Sequence, residues 1–323
     1  MNLFTLMHHY RTDPVSNYAK LEYCTRRYYD RLMAHILRTV GDPEVSEIKG
    51  RTVHLWHQQW TDDGRKVSIG HALVGMMRTL VNFGFFALDD TDCERAATIL
   101  SKGRFANGKP RTVRITRDQV LAIANFARPM APMLALAQVM QFEFSWRQKD
   151  VIGEWVPVSE PGLSDIHRVT KKGPMKWIKG VRWEEIDADG LVHHVTSKRK
   201  KLSEPTLAYA PLTCAEIDRM FPEGRPKFGP IILDQDTGLP YDADKFREHW
   251  RAAAIAVGVP LNVQNRDSRA GGISEAIELG ANVEHVRDMA THSDVSQTRD
   301  YSRAFRENTH AVQRKRMESG RVA

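Results

Sequence analysis

A basic run from Ser101 to Arg117 divides the chain, and it limits what the rest can fold into. It carries Lys102, Arg104, Lys109, Arg111, Arg114 and Arg117 with no acidic residue, and Gly103, Gly108 and Pro110 interrupt any regular element. Like charges repel, and an unpaired buried cation is too costly for a small core to absorb. Such a run stays in solvent or lies on an anion. Apolar periodicity occurs on both sides of it, so the chain must build two cores. Its 323 residues, 41% of them hydrophobic, suffice for that and exclude a disordered chain. The expected layout is a helical domain over 1–105, a basic linker over 106–117, and a second domain over 118–323 that ends in a tail.

In the first part, residues 1–17 read as mixed and loosely held. From Asn17, Leu21, Cys24, Tyr28, Leu32, Ile36 and Val40 recur every three to four residues, one face of a helix stopped by Gly41-Asp42-Pro43. A shorter helix is expected from Thr52, with Val53, Trp56 and Trp60 inward. A third starts at Val67, where Ile69, Leu73, Met76, Met77, Leu80 and Val81 share a face, and a fourth covers Asp92 to Leu100.

Beyond the linker, Thr116-Arg117-Asp118-Gln119 is a capping box that opens a helix. A second apolar helix follows from Met133 to Phe144. Trp146-Arg147-Gln148-Lys149-Asp150 then places an acid one helical turn after an arginine, a spacing that lets the carboxylate hold the guanidinium. Residues 156–180 are polar and their fold is not legible. Three strands are expected at Val181–Ile186, Leu191–Ser197 and Thr206–Ala210, with the basic turn Lys198-Arg199-Lys200-Lys201 between the last two. Helices are expected over Thr213–Met220, Asp242–Val257, Ala270–Leu279 and Val283–Ala290, with Phe246, Trp250, Ala254 and Ile255 inward on the second of these. The fold class is therefore mainly α with a small antiparallel sheet.

The net charge of +7 favours a polyanionic partner. Three scattered cysteines, Cys24, Cys93 and Cys214, suggest neither a disulfide framework nor a zinc ribbon, and a reducing cytoplasm is the natural reading. Met1 to Asp13 lacks an apolar core of signal length, and no apolar run reads as the ~20 residues of a membrane span. His54 and His57 lie three apart on a helix without a third ligand, and His193-His194 point to opposite faces of a strand, so no metal or other cofactor is expected.

Two runs near the end carry the chemistry. Arg266-Asp267-Ser268-Arg269 ends in an arginine that opens a helix. His292-Ser293-Asp294-Val295-Ser296-Gln297-Thr298-Arg299-Asp300-Tyr301 sets a histidine and a tyrosine across a Ser/Asp-rich turn. Together with Arg147 and the hairpin lysine, this order resembles the phage-type tyrosine recombinases (integrases). Their box reads roughly His-x-x-Arg and then Gly-His-Ser-x-x-x-Thr-Thr-x-x-Tyr. Here Arg266 stands for the first His, Thr291 for the Gly and Gln297 for the first Thr, and residues 156–180 exceed the family's usual connection.

The resemblance implies a helical core-binding domain, a mixed α/β catalytic domain, and cleavage and rejoining of DNA without metal or ATP. Tyr301 would be the nucleophile and form a 3′-phosphotyrosyl link. Arg147 and Arg269 would clamp the phosphate, Lys198 would protonate the leaving oxygen, with Lys200 and Lys201 as alternatives, and His292 would hydrogen-bond the phosphoryl oxygen. Arg266 cannot act as a base and would stabilise the phosphate or the phenolate. Lys102, Arg104, Lys109, Arg111 and Arg114 would contact DNA. The implied partner is double-stranded DNA, bound by a homo-tetramer in the cytoplasm (at the nucleoid) with accessory bending or directionality factors and no membrane. The implied task is integration or excision of a prophage or mobile element. A type IB-like topoisomerase or a DNA-binding regulator with impaired catalysis are the alternatives. The tail from Ala304, with Phe305 and Val312, would dock on a neighbouring protomer.

Overall fold

The computed structural model describes residues 1–108 and 111–291. The chain forms two compact units, Met1–Arg111 and the part from Thr112 onward.

The first unit is all helical: α1 (Leu3–Thr12), α2 (Tyr23–Val40), α3 (Gly50–Thr61), α4 (Val67–Leu88) and α5 (Thr91–Lys102). Helix α4 is its centre and packs against the other four. Leu73, Val74, Met76, Met77, Leu80 and Val81 are buried along its inner face, as their spacing predicts. By length and composition alone, α4 is apolar enough to cross a membrane, contrary to the sequence reading; its buried face belongs to this unit's core. The N-terminus also departs from expectation. Residues 3–12 are not loose but helical. Asn2 caps α1 by accepting from the Thr5 N–H at 2.9 Å, and Leu3, Leu6, Met7 and Tyr10 are buried.

The second unit is built on α7 (Pro132–Glu143), whose residues from Leu134 to Phe142 are all buried. A helix covered on every side needs partners all round. These are α6 (Arg117–Ala127), α8 (Gln148–Ile152), α9 (Pro211–Met220), α10 (Ala243–Ala256) and α11 (Asp267–Glu278). Thr116 caps α6 in the capping box read from the sequence. The two buried glutamines of α7 each hold a neighbouring segment, although Gln141 Oε1 has no hydrogen-bond partner among the described residues. Gln138 accepts from Trp250 Nε1 at 2.5 Å and donates to Ser268 Oγ at 3.0 Å, and Gln141 donates to the Asn265 carbonyl at 3.3 Å. These bonds tie α10 and the start of α11 to the core. Ile255 of α10 is 54% exposed, against expectation, because Trp250, Ala253 and Ala254 fill the inner face. Helix α12 (Val283–Met289) follows α11 and packs on it through Val286.

The stretch with no legible fold is a three-stranded antiparallel sheet of β1 (Glu154–Pro157), β2 (His167–Thr170) and β3 (Gly173–Ile178) in the order β1-β3-β2, with Trp155 opposite Trp177. The three strands expected after it are mostly absent. Val181–Ile186 contains a 3-10 turn, Trp183–Glu185, and Thr206–Ala210 contains another, Leu207–Tyr209. What pairs is a short hairpin, β4 (His194–Val195) with β5 (Leu202–Ser203). The segment's aromatic and branched residues are spent on single bridges and core contacts, such as Ile186 to Val192 and Leu191 to Thr206. A last pair, β6 (Leu233–Asp234) with β7 (Leu239–Pro240), flanks a turn through Asp236-Thr237-Gly238.

Candidate active site

Arg269 lies in the first turn of α11 and is only 8% exposed. The turn is set by Asp267, whose Oδ2 accepts from the Gln264 N–H at 2.8 Å. Two glycines then bring the helix against the end of α7. A Cβ on Gly272 would overlap the Phe142 carbonyl oxygen and lie 2.8 Å from Ser145 Oγ. Only a residue without a side chain permits this approach. Gly272→Ala is therefore expected to destabilise the second unit by at least ~1–3 kcal/mol, the usual cost of overpacking, because the obstacle is backbone and cannot swing aside. A urea titration that leaves the unfolding midpoint unmoved would contradict this.

The close approach lets Arg269 span two distant segments. Its Nη1 donates to the Ser145 carbonyl at 2.6 Å, and its Nη2 donates to the Ala290 carbonyl. Ser145 lies two residues before Arg147, and Ala290 two before His292. One guanidinium thus gathers the first arginine motif and the approach to the histidine motif. Both bonds go to carbonyls, so no carboxylate neutralises Arg269 through them.

Arg147 precedes α8, and Asp150 organises it. Asp150 is fully buried; its Oδ2 accepts from the Arg147 backbone N–H at 3.2 Å and lies 3.9 Å from Arg147 Nη1. That separation supports an ion pair but not a hydrogen bond. Nη1 of Arg147 is buried and has no hydrogen-bond partner among the described residues. A guanidinium donor in this state suits an incoming oxyanion. The other oxygen, Oδ1, accepts from the Ser197 N–H at 2.6 Å, and Ser197 is the residue before Lys198. Asp150 therefore joins the first arginine to the lysine hairpin, a role that the Arg-x-x-Asp spacing alone does not reveal.

Lys198 is exposed at the hairpin tip. The tip closes through the Lys200 N–H to the Thr196 carbonyl at 2.9 Å, with Lys200 at φ 51°. Arg199, Lys200 and Lys201 are exposed beside it, so the choice among the lysines rests on the anchored neighbour of Lys198. Arg266 is exposed at the start of α11, and its side chain makes no capping hydrogen bond there. His292, Tyr301 and the tail lie outside the described residues, as does Lys109. The chain reaches that point through Thr291, which is buried with φ 51°. This left-handed conformation suits glycine and strains a β-branched residue. It gives a physical reason for the glycine that the integrase box carries where this chain has threonine.

The linker cations do not share one fate. Lys102 and Arg104 are exposed, and Arg111 is exposed with partners of its own. Arg114 pairs with Glu278, and Arg117 is held by Glu275 through Nε at 2.8 Å and Nη2 at 3.2 Å. The run lacks an acid in sequence, yet α11 supplies two. Phe105 is half-buried and Ile115 fully buried. Phe105 stacks near His54 and His57, with ring centroids 4.9 and 5.2 Å away, and Ile115 is buried in the second core. Burial there pushes the His57 pKa down, with the neighbouring His54 and His71 adding to the shift. Among the described residues, no group of three or more potential metal ligands occurs.

The sequence matches no protein-family model and no curated protein. Its fold is that of tyrosine recombinases. A lambda integrase (75–356) dimer bound to a COC′ core site superposes with a TM-score of 0.70 at 15% identity, covering 93% of this chain and 95% of that one. A lambda integrase tetramer bound to a Holliday junction gives 0.68 at 14% identity, with 91% and 78% covered. The Tn1549 transposon integrase in complex with circular intermediate DNA gives 0.62 at 12% identity, with 97% and 99% covered.

Proposed function

We propose that this chain is a site-specific tyrosine recombinase that integrates or excises a mobile element or prophage. The observation that carries the reading is the Arg269 guanidinium held between Ser145 and Ala290, together with an Arg147 whose buried Nη1 has no hydrogen-bond partner among the described residues. Both arginines belong to the motifs that the integrase resemblance assigns to the phosphate, which supports the reading. The shared fold supports the same reading, and the neighbours' complexes with DNA support double-stranded DNA as the partner. The lambda integrase tetramer on a junction supports a homo-tetramer on DNA.

The reaction runs as two in-line displacements at phosphorus. The Tyr301 oxygen attacks, its phenolic proton passing to water. The bond from phosphorus to the 5′ oxygen breaks, and the departing oxygen keeps the bonding pair and takes a proton from the Lys198 ammonium. The products are a 3′-phosphotyrosine, a 5′ hydroxyl and neutral Lys198. Rejoining reverses each transfer, and the ester conserves the bond energy, so neither ATP nor metal is consumed. Arg147 and Arg269 stabilise the charge that builds on the nonbridging oxygens, because each fork stays protonated and can reach two oxygens. His292 donates to one of those oxygens. Arg266 cannot accept the tyrosine's proton and serves as a third cation.

A nicked suicide duplex carrying the junction that flanks the gene tests the proposal. A denaturation-resistant protein–DNA band is expected, followed by strand exchange when a partner site is added. Relaxation without exchange would indicate a type IB-like topoisomerase. Binding without the band would indicate a regulator, the reading that Arg266 favours.

The α11 acids lead to a second prediction. Glu275 and Glu278 occupy arginines that would otherwise be open to phosphate, in exposed pairs worth only ~0.2–1 kcal/mol each. The Glu275→Gln/Glu278→Gln double variant should bind random duplex more tightly. Its log–log salt slope should steepen by about 0.9 for each additional phosphate that the freed arginines neutralise. Parent-like slope and affinity would mean that Arg114 and Arg117 face away from DNA.

A further inference from the structure

The Lys198 hairpin cannot hold its own shape. Its strands are two residues each, and isolated hairpins are marginal even when longer. A lysine at such a tip would sample many positions, whereas a general acid must stay within hydrogen-bond reach of one oxygen.

The hairpin is gripped at its base by Trp146, the residue directly before Arg147. His194 and Ser203 are cross-strand partners, and both contact this indole. The His194 ring lies 4.6 Å from the Trp146 ring, and Trp146 Nε1 donates to Ser203 Oγ at 2.9 Å. Trp146 is fully buried and His194 is 1% exposed, so the grip is part of the packed interior. Glu185, from the 3-10 turn before the hairpin, meets His194 Nδ1 at 3.0 Å. The other ring nitrogen, Nε2, is buried with no partner among the described residues, which leaves Glu185 as the ring's polar anchor there. Asp150 adds the bond to the Ser197 N–H from the other side of Arg147.

We infer that His194 is a positioning residue for Lys198: seated on Trp146 and tethered by Glu185, it fixes the lysine tip relative to the Arg147 clamp. The inference rests on the recombinase reading, and it concerns a residue that makes no contact with the phosphate. A shift of about 1 Å in a reacting group can cost on the order of 100-fold in rate. The loss should fall on the one step Lys198 serves, protonation of the leaving oxygen.

Leaving-group chemistry isolates that step. Replacing the bridging 5′ oxygen of the scissile phosphate by sulfur gives a leaving thiolate that needs no proton. The test compares single-turnover adduct formation on oxygen- and sulfur-bridged suicide duplexes. His194→Ala is expected to slow cleavage of the oxygen substrate by roughly 10- to 100-fold and to cleave the sulfur substrate at nearly the parent rate. Glu185→Gln, which leaves the ring seated on Trp146, should show the same pattern more weakly and guards against a His194→Ala chain that fails to fold. Arg147→Ala should be impaired on both substrates. An equal loss on both substrates for the His194 and Glu185 variants would show a merely structural contact and overturn the inference, as would parent-like cleavage of the oxygen substrate. If the parent itself forms no adduct on either duplex, the recombinase reading fails, and the inference with it.

Discussion

Tyr301→Phe is expected to bind duplex as the parent does and to form no covalent adduct with it. The change removes one oxygen and keeps the ring, so packing and charge are preserved while the nucleophile is lost. Attack by water in its place would give hydrolysis and no protein-bound product. Removing the nucleophile of a comparable covalent enzyme costs on the order of 10⁶ in turnover, and the adduct itself should vanish altogether. A free tyrosine ionises near ~10, so the parent's attack depends on cations that stabilise the phenolate. Arg147, Arg269 and Arg266 are the ones the sequence supplies. The measurement is a denaturing gel after incubation with a nicked suicide duplex, beside a native gel for binding. A covalent band from the Phe variant would move the nucleophile elsewhere, with Tyr241 an unsuitable substitute, because burial pushes its pKa up to about 12.

Much of this arrangement can be read from the sequence because it is local. The capping box at Thr116, the inner face of α4 and the Arg-x-x-Asp spacing each involve residues within a few turns of one another. Local rules of periodicity and capping describe such contacts directly. Helix α1 obeys the same rules, with Leu3, Leu6, Met7 and Tyr10 on a helical stripe behind a capping Asn2, although the polar His8, His9 and Arg11 give the segment the look of a loose terminus.

What stays hidden depends on partners far apart in the chain. The acids that pair with Arg114 and Arg117 come from more than 150 residues away, so a run that looks purely basic is partly neutralised in the fold. Asp150 reaches Ser197 across 47 residues, and Trp146 reaches Ser203 across 57. The expected strands between Val181 and Ala210 fail for a related reason. They carry branched and aromatic residues, but Trp183, Val192 and Leu207 are claimed by the core rather than by a ladder. Tertiary burial overrides strand propensity there.

Arg269→Lys should damage the site more than any other charge-conserving change among the described residues. Arginine reaches the Ser145 and Ala290 carbonyls with separate nitrogens of one rigid plane. An ammonium is a single point with no fixed fork, and it cannot span the same two acceptors. Two consequences should appear together. One is a loss of stability of about 1–3 kcal/mol, from carbonyls left without their charged donor; both carbonyl residues are buried. The other is a fall in cleavage of at least about 100-fold, the scale seen when one preorganised donor to a developing oxyanion is removed. DNA affinity should change little, because the net charge is kept and nonspecific binding follows charge. Arg147→Lys provides the contrast. Its Nη1 has no hydrogen bond to lose among the described residues, so its effect should fall on cleavage with little on stability. Thermal or urea unfolding of the two variants, set beside single-turnover cleavage, separates the predictions. Equal stability of Arg269→Lys and the parent would mean that the two carbonyl bonds do not hold α11 to the Ser145 and Ala290 segments. Near-normal cleavage would mean that the phosphate sits elsewhere.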